Sequence, residues 1–232
     1  MASEDDYTYA LSSNQAWAGY KSRQNPSFFK TIAEKNTPSI LWLGCSDARV
    51  PETTILGLQP GDIFVHRNVA NIVSPTDLNT LAVIEHAVIN LQVKHIILCG
   101  HTGCDMVEAA LGDGTMGGIL DIWLTPLRAL TGQVETQMNG HTSTEQKCTR
   151  VAELNVEAGV RTLKANWAVR MGMKSRGVTV HGCMFDIHTG KVTELGSSSG
   201  GSKSAAATPG QVVRGNHGML VFRGRSASMA IQ

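Results

Sequence analysis

The chain has no excess of charge of either sign, because its formal net charge at pH 7 is +1. Nucleic-acid-binding proteins usually carry a large positive charge on one face, so the composition gives no indication of that class. Apolar runs long enough to cross a membrane, roughly 20 residues, are also missing. We therefore expect neither a nucleic-acid partner nor a membrane partner.

A targeting segment is not evident either. Residues 4–6 are all acidic, whereas a secretory signal begins with basic and apolar residues and a transit peptide is poor in acid. We expect a cytoplasmic protein. With 232 residues, of which 42% are hydrophobic, the chain is long enough to bury a sizeable core.

Cysteine is scarce, and its number is odd. Five cysteines in a chain of this length do not indicate a small disulfide scaffold. Cys99 and Cys183 lie within apolar runs, which is typical of small buried side chains. Cys45 and Cys104 differ, because each follows a glycine at or just beyond the end of a predicted strand.

Apolar segments that alternate with helical patterns are the predicted strands. They cover residues 39–44, 62–67, 95–99, 178–187 and 192–195. We expect helices to start at Pro51 and at Ser74–Pro75, and we expect the polar stretch 131–147 to lack regular structure. The alternation predicts an α/β fold with a mainly parallel β-sheet flanked by helices.

Two predicted strands end in potential metal ligands. Cys45 and Asp47 follow the first strand, and His101 and Cys104 follow the third. Open α/β sheets bind ligands at the carboxyl ends of their parallel strands, where these side chains would meet. Thiolate, imidazole and carboxylate are the ligands that zinc prefers. The sequence therefore predicts one zinc ion held by Cys45, His101 and Cys104, with Asp47 beside it.

Asp47 has two possible roles at such a site. It can be the fourth ligand, which closes the site, or it can pair with Arg49 and leave the fourth position to water, as in catalytic zinc sites. A closed site would be a structural staple. In a second alternative, the cysteines and His101 are unrelated buried core residues that hold no metal. A nucleophile made of Cys104 and His101 would leave Cys45, Asp47 and Arg49 without a role.

Three segments resemble the signature sequences of the β-class carbonic anhydrases. They are Cys45–Pro51, Phe64–Asn71 and Cys99–Cys104. The resemblance implies reversible hydration of CO2 to bicarbonate and a proton, with Cys45, His101 and Cys104 as zinc ligands. It implies Asp47 and Arg49 as the catalytic dyad, with Asp47 able to become a fourth ligand in a closed form.

The same resemblance implies a homodimer, often paired into a tetramer, with its active site near the interface. Phe64 and Val69 match apolar positions of the substrate pocket. Asn36 stands where plant-type members have a glutamine that binds substrate. The chain departs from the family at Asp105, where glycine is usual.

Three segments follow from these observations. Residues 1–35 hold aromatic side chains among polar ones and predict a helical arm, which packs on its own domain or grips a partner subunit. The resemblance favours the second interpretation. Residues 36–195 are the predicted zinc-binding catalytic domain. Residues 196–232 are rich in serine and glycine and predict a linker and a C-terminal tail.

The mechanism that we expect uses zinc to lower the pKa of a water molecule and to supply hydroxide. Asp47, fixed by Arg49, would accept a hydrogen bond from that hydroxide and orient it. Two thiolates neutralise the zinc charge, so activity should rise toward alkaline pH. The alternatives are a related zinc hydrolase acting on a CO2-like molecule such as carbon disulfide, and a zinc protein without turnover.

Overall fold

A five-stranded sheet forms the centre of the computed structural model, which describes residues 5–34, 36–112, 114–138 and 142–196 and the backbone of 222–223 and 226–227. The strands are β1 (Ile40–Cys45), β2 (Ile63–Asn68), β3 (His95–His101), β4 (Thr179–Asp186) and β5 (Lys191–Glu194). Their order is β2-β1-β3-β4-β5. The first four are parallel, and β5 pairs antiparallel with β4. This confirms the predicted α/β fold.

Helices connect the strands and flank the sheet. Those before β3 are α1 (Asp6–Gln24), α2 (Phe28–Glu34), α3 (Glu52–Ile55) and α4 (Leu78–Glu85), which a π-helical turn (His86–Asn90) extends. Those after β3 are α5 (Asp105–Leu111), α6 (Ile119–Trp123), α7 (Thr125–Gln137), α8 (Thr144–Ala165) and α9 (Trp167–Arg176). No helix in the described ranges is both long enough and apolar enough to cross a membrane.

The described part of the tail is one short pair of strands. β6 (Phe222–Arg223) and β7 (Ser226–Ala227) form an antiparallel pair of their own. The remainder of the predicted linker and tail, from residue 197 onward, lies outside the described residues. The division of the chain into 1–35, 36–195 and 196–232 stays a prediction.

The main core lies on the face of the sheet that α8 covers. Leu41 of β1 and Leu98 of β3 are fully buried, and they belong to one apolar cluster with Val156 and Leu163 of α8. Burial of a side chain of this size stabilises a fold by roughly 1.5–3 kcal/mol. These contacts fix the position of β1 and β3, the two strands that precede the predicted ligands.

The opposite face of the sheet is covered less completely. Trp42, Cys99 and Phe185 are buried there, and the end of α3 packs on them. Ile97 and Val65 on the same face are only half-buried. Within the described part of the chain, this face therefore has room for a further packing element.

The N-terminal arm consists of α1 and α2, which pack on each other. Trp17 contacts Phe28 and Phe29 edge to face, with ring centroids 6.3 and 5.7 Å apart. No residue of α1 is buried. Tyr7 is 72% exposed and Tyr20 is 51% exposed. The arm thus presents aromatic side chains that the described part of the chain leaves exposed.

Two expectations about helices are wrong. α4 does not start at Ser74–Pro75, because Asp77 caps it and accepts two backbone N–H groups of the first turn at 3.1 and 3.3 Å. The stretch 131–147 is not irregular throughout: α7 runs through its first half, and α8 begins in its second half with a capping box at Ser143.

Candidate metal centre

The three predicted zinc ligands meet at the carboxyl edge of the sheet. Gly44 pairs with Cys99 in the register of β1 and β3, which places Cys45 beside the end of β3. The ligand atoms of Cys45, His101 and Cys104 all lie within 4.8 Å of one another. All three residues are buried, with at most 5% of each exposed.

One ring nitrogen of His101 is available to a metal. Nδ1 lies 2.9 Å from the carbonyl oxygen of Thr102 and must donate to it, because a carbonyl oxygen only accepts. In the neutral imidazole, which is the form that binds a metal, Nε2 is then the unprotonated nitrogen. It is buried and has no hydrogen-bond partner among the described residues. Leaving such a group unpaired costs about 1–3 kcal/mol, and coordination of a metal removes that cost.

The two cysteine thiols influence each other. Cys104, with help from His101, stabilises the thiolate of Cys45 and holds the pKa of Cys45 well below its usual range. The same interaction raises the pKa of Cys104. A divalent cation would stabilise both sulfurs as thiolates. Two thiolates and one neutral imidazole are a donor set that zinc prefers, so the residues fit a zinc ion.

Arg49 holds the carboxylate of Asp47. Its Nε donates to the two carboxylate oxygens at 3.0 and 3.1 Å, and its Nη2 donates to Oδ2 at 2.5 Å. The backbone N–H of Arg49 donates to Oδ1 at 2.8 Å. These bonds lower the pKa of Asp47 to about 2, so that it is ionised at neutral pH. Its Oδ2 lies 3.8 Å from Nε2 of His101.

Arg49 also joins the two loops that carry the ligands. Its Nη2 donates to the carbonyl oxygen of Gly103 at 2.8 Å. Gly103 has a φ of +61°, and a Cβ there would lie 2.7 Å from the side chain of Ile187, so only glycine fits without strain. The guanidinium therefore spans from the loop after β1 to the loop after β3.

Arg67 supports the loop after β1, a role that the sequence analysis missed. Its Nε donates to the carbonyl oxygen of Cys45 at 2.7 Å, and its Nη2 donates to the carbonyl oxygen of Asp47. Glu52 lies 3.8 Å from the same guanidinium. Contacts to backbone carbonyls leave no pattern in a sequence, so spacing and residue type could not reveal them.

The predicted substrate-pocket residues are not all near this cluster. Val69 comes directly after Asn68, which pairs with Cys45, so it lies at the carboxyl edge. Phe64 pairs with Leu41, and four residues of strand correspond to about 13 Å. Asn36 is exposed in the segment before β1, at the amino edge of the sheet. Asn36, Phe64 and Val69 therefore do not all lie near the ligand cluster of the same chain. Their role in substrate binding stays a prediction.

The chain thus combines a mainly parallel α/β sheet with two cysteines and a histidine at its carboxyl edge, a donor set that zinc prefers. The family model for carbonic anhydrase matches residues 40–192. A carbonic anhydrase of Emericella nidulans is 37% identical over 193 residues, which cover 83% of this chain and 84% of the relative.

Two solved structures are also similar. One, from a study of two tetrameric β-carbonic anhydrases of Sordaria macrospora, has 55% identity and a TM-score of 0.81, and the match covers 83% of this chain and 98% of the other. A β-carbonic anhydrase of Aspergillus fumigatus has 45% identity and a TM-score of 0.80, with coverage of 84% and 93%. The chain belongs to the β-class carbonic anhydrases, the enzymes that hydrate CO2 reversibly.

Proposed function

We propose that Cys45, His101 and Cys104 hold a catalytic zinc ion, and that Asp47 and Arg49 form the dyad that orients the attacking group on CO2. The observation that carries this proposal is the buried Nε2 of His101, which has no hydrogen-bond partner among the described residues and lies 3.8 Å from Asp47, in a cluster whose three ligand atoms are within 4.8 Å of one another. When bound, zinc lowers the pKa of a water molecule so that hydroxide is available near neutral pH.

The Asp47 carboxylate is ionised and fixed, as an orienting acceptor must be. Four contacts from Arg49 determine its position, and they leave Oδ2 on the side of the ligand cluster. From there Asp47 accepts an O–H hydrogen bond and directs the lone pair of the attacking oxygen toward carbon. The fork to Arg49 supports the arrangement in which Asp47 is paired and not bound to metal.

We also propose that the working unit is a homodimer or a dimer of dimers, with each substrate pocket shared across the dimer interface. Phe64 lies too far down β2 to reach the cluster of its own chain. The exposed aromatic side chains of the arm and the half-buried face of the sheet offer surfaces that a second copy could cover. The similar enzymes of Sordaria macrospora are tetrameric. A cytoplasmic location is proposed from the sequence alone.

The experiment is stopped-flow CO2 hydration combined with zinc analysis of the parent and of Asp47→Ala. We expect one zinc ion per chain in both, because Asp47 is not one of the three ligands, and a loss of about a hundredfold or more in kcat in the variant. The parent rate should rise from about pH 6.5 to about pH 9, since two thiolates weaken the acidifying effect of zinc.

Asp121→Ala is the matched control, because Asp121 forms the same kind of pair with Arg128, at 3.0 Å, away from the cluster. Its kcat should equal that of the parent. Zinc in the parent without CO2 hydration at any pH would indicate a zinc protein without turnover. A parent rate that does not change with pH would contradict the proposed ligand set.

A further inference from the structure

One nitrogen of the Arg49 guanidinium, Nη2, faces more hydrogen-bond acceptors than it has hydrogens. Nη2 carries two N–H groups. Three oxygens lie within hydrogen-bond distance of it: Oδ2 of Asp47 at 2.5 Å, the carbonyl oxygen of Gly103 at 2.8 Å and Oδ1 of Asp105 at 3.3 Å. At least two of these acceptors must share one hydrogen. The longest and weakest contact is the one to Asp105.

The two carboxylates stand on either side of Arg49. Asp47 is 13% exposed and lies between the guanidinium and the ligand cluster. Asp105 is the first residue of α5 and comes directly after the ligand Cys104, but its side chain is 79% exposed and points outward. The arrangement is carboxylate, guanidinium, carboxylate, with the inner carboxylate beside the metal ligands and the outer one in solvent.

We propose that Asp105 is a positioning residue that competes with Asp47 for Arg49 and so weakens the hold on Asp47. This inference rests on the proposed function. When Asp47 turns from Arg49 toward the ligand cluster, the guanidinium keeps a carboxylate partner, because Asp105 takes the N–H that Asp47 releases. Without Asp105 that N–H would lose its charged acceptor, and the turn would be more costly. Asp105 therefore favours the form in which Asp47 blocks the metal.

The size of the effect follows from exposure. Half of the Arg49 side chain and most of the Asp105 side chain are in solvent, where an ion pair is weak. We expect the balance between the two positions of Asp47 to change by roughly two- to fivefold, the range that such exposed pairs produce. An effect of this size alters the accessibility of the metal without abolishing the site.

The test uses the cobalt-substituted holoenzyme, because the visible absorption of Co2+ changes when azide binds to it. Azide needs the position that Asp47 would occupy. We expect Asp105→Asn to bind azide roughly two- to fivefold more tightly than the parent at one fixed pH near neutrality. Asp105→Glu keeps a carboxylate within reach of Arg49 and should restore the azide affinity of the parent.

Glu108→Gln is the matched control. Glu108 lies one turn further along α5 and is exposed, and its substitution removes the same charge without touching Arg49. An unchanged or weakened azide affinity in Asp105→Asn would overturn the inference, and so would an equal gain in Glu108→Gln. A parent that binds no Co2+ or does not hydrate CO2 would instead overturn the proposed function.

Discussion

Arg49→Lys keeps the positive charge at position 49 but removes the forked hydrogen bonds to Asp47. In the parent, the Arg49 side chain makes three contacts with the two oxygens of Asp47. Lysine has one compact ammonium group and cannot hold both oxygens in a plane. The backbone N–H of residue 49 still donates to Oδ1, so that Asp47 keeps one fixed oxygen and one free oxygen.

The expected loss follows from that count. One or two charge-assisted hydrogen bonds disappear, and the carboxylate gains freedom to rotate about the bond that remains. A change of this kind should lower kcat by about tenfold to a hundredfold. Arg49 contacts no side chain among the three ligands, so zinc content should remain at the level of the parent. KM should change less than kcat, because the proposed role of the fork is to orient the attacking group.

The assay is stopped-flow CO2 hydration with zinc determined on the same sample. Arg128→Lys is the control, because Arg128 forms a comparable pair with Asp121 outside the site. It should retain the kcat of the parent. If Arg49→Lys hydrates CO2 as fast as the parent, the dyad has no role in the reaction and the orienting function of Asp47 must be abandoned.

Three further predictions concern stability and assembly. Folding lowers the pKa of Asp47 from 3.8 to about 2. The contribution of ionised Asp47 to the unfolding free energy is therefore complete above about pH 4 and is lost as the pH falls through about 2. Urea unfolding of Asp47→Asn should lack this pH dependence. Gly103→Ala should lower the unfolding free energy by more than Gly177→Ala, because both have positive φ but only a Cβ at Gly103 meets a neighbouring side chain; equal losses would refute this. Tyr20→Glu should weaken the proposed contact of the arm with a second copy and so lower the molar mass of the oligomer measured by light scattering. Leu78→Glu, at a residue 81% exposed on α4, should leave that mass unchanged.

The sequence predicted the sheet and the ligand cluster because both follow from local patterns. The strands of a parallel sheet are buried on both faces and read as continuous apolar runs, as β1 and β3 do. Once two such strands are neighbours, their carboxyl ends lie together. Cys45 and His101 therefore had to meet, and the structure places them so.

Other features could not be predicted, because they depend on side chains that are distant in the sequence. Arg67 donates hydrogen bonds to carbonyl oxygens of the loop after β1. The sequence does not distinguish Arg67 from other long polar side chains that could make such bonds. The helical content of 131–147 was missed because few apolar residues mark it; Val134 is the buried residue in that part of α7. Ser74–Pro75 resembled a helix start, but Asp77 caps the helix.

The distance in sequence between the proposed zinc ligands has a consequence for how a metal would be acquired. Cys45 leaves β1, whereas His101 and Cys104 come from the end of β3, and β2 and α4 lie between them. The three donors meet only after β1 and β3 have paired around this long crossover. Tight binding of the proposed zinc ion would therefore follow folding, and zinc would stabilise the folded chain by mass action. Zinc held tightly in a purified sample would then belong to chains in which this pairing is complete.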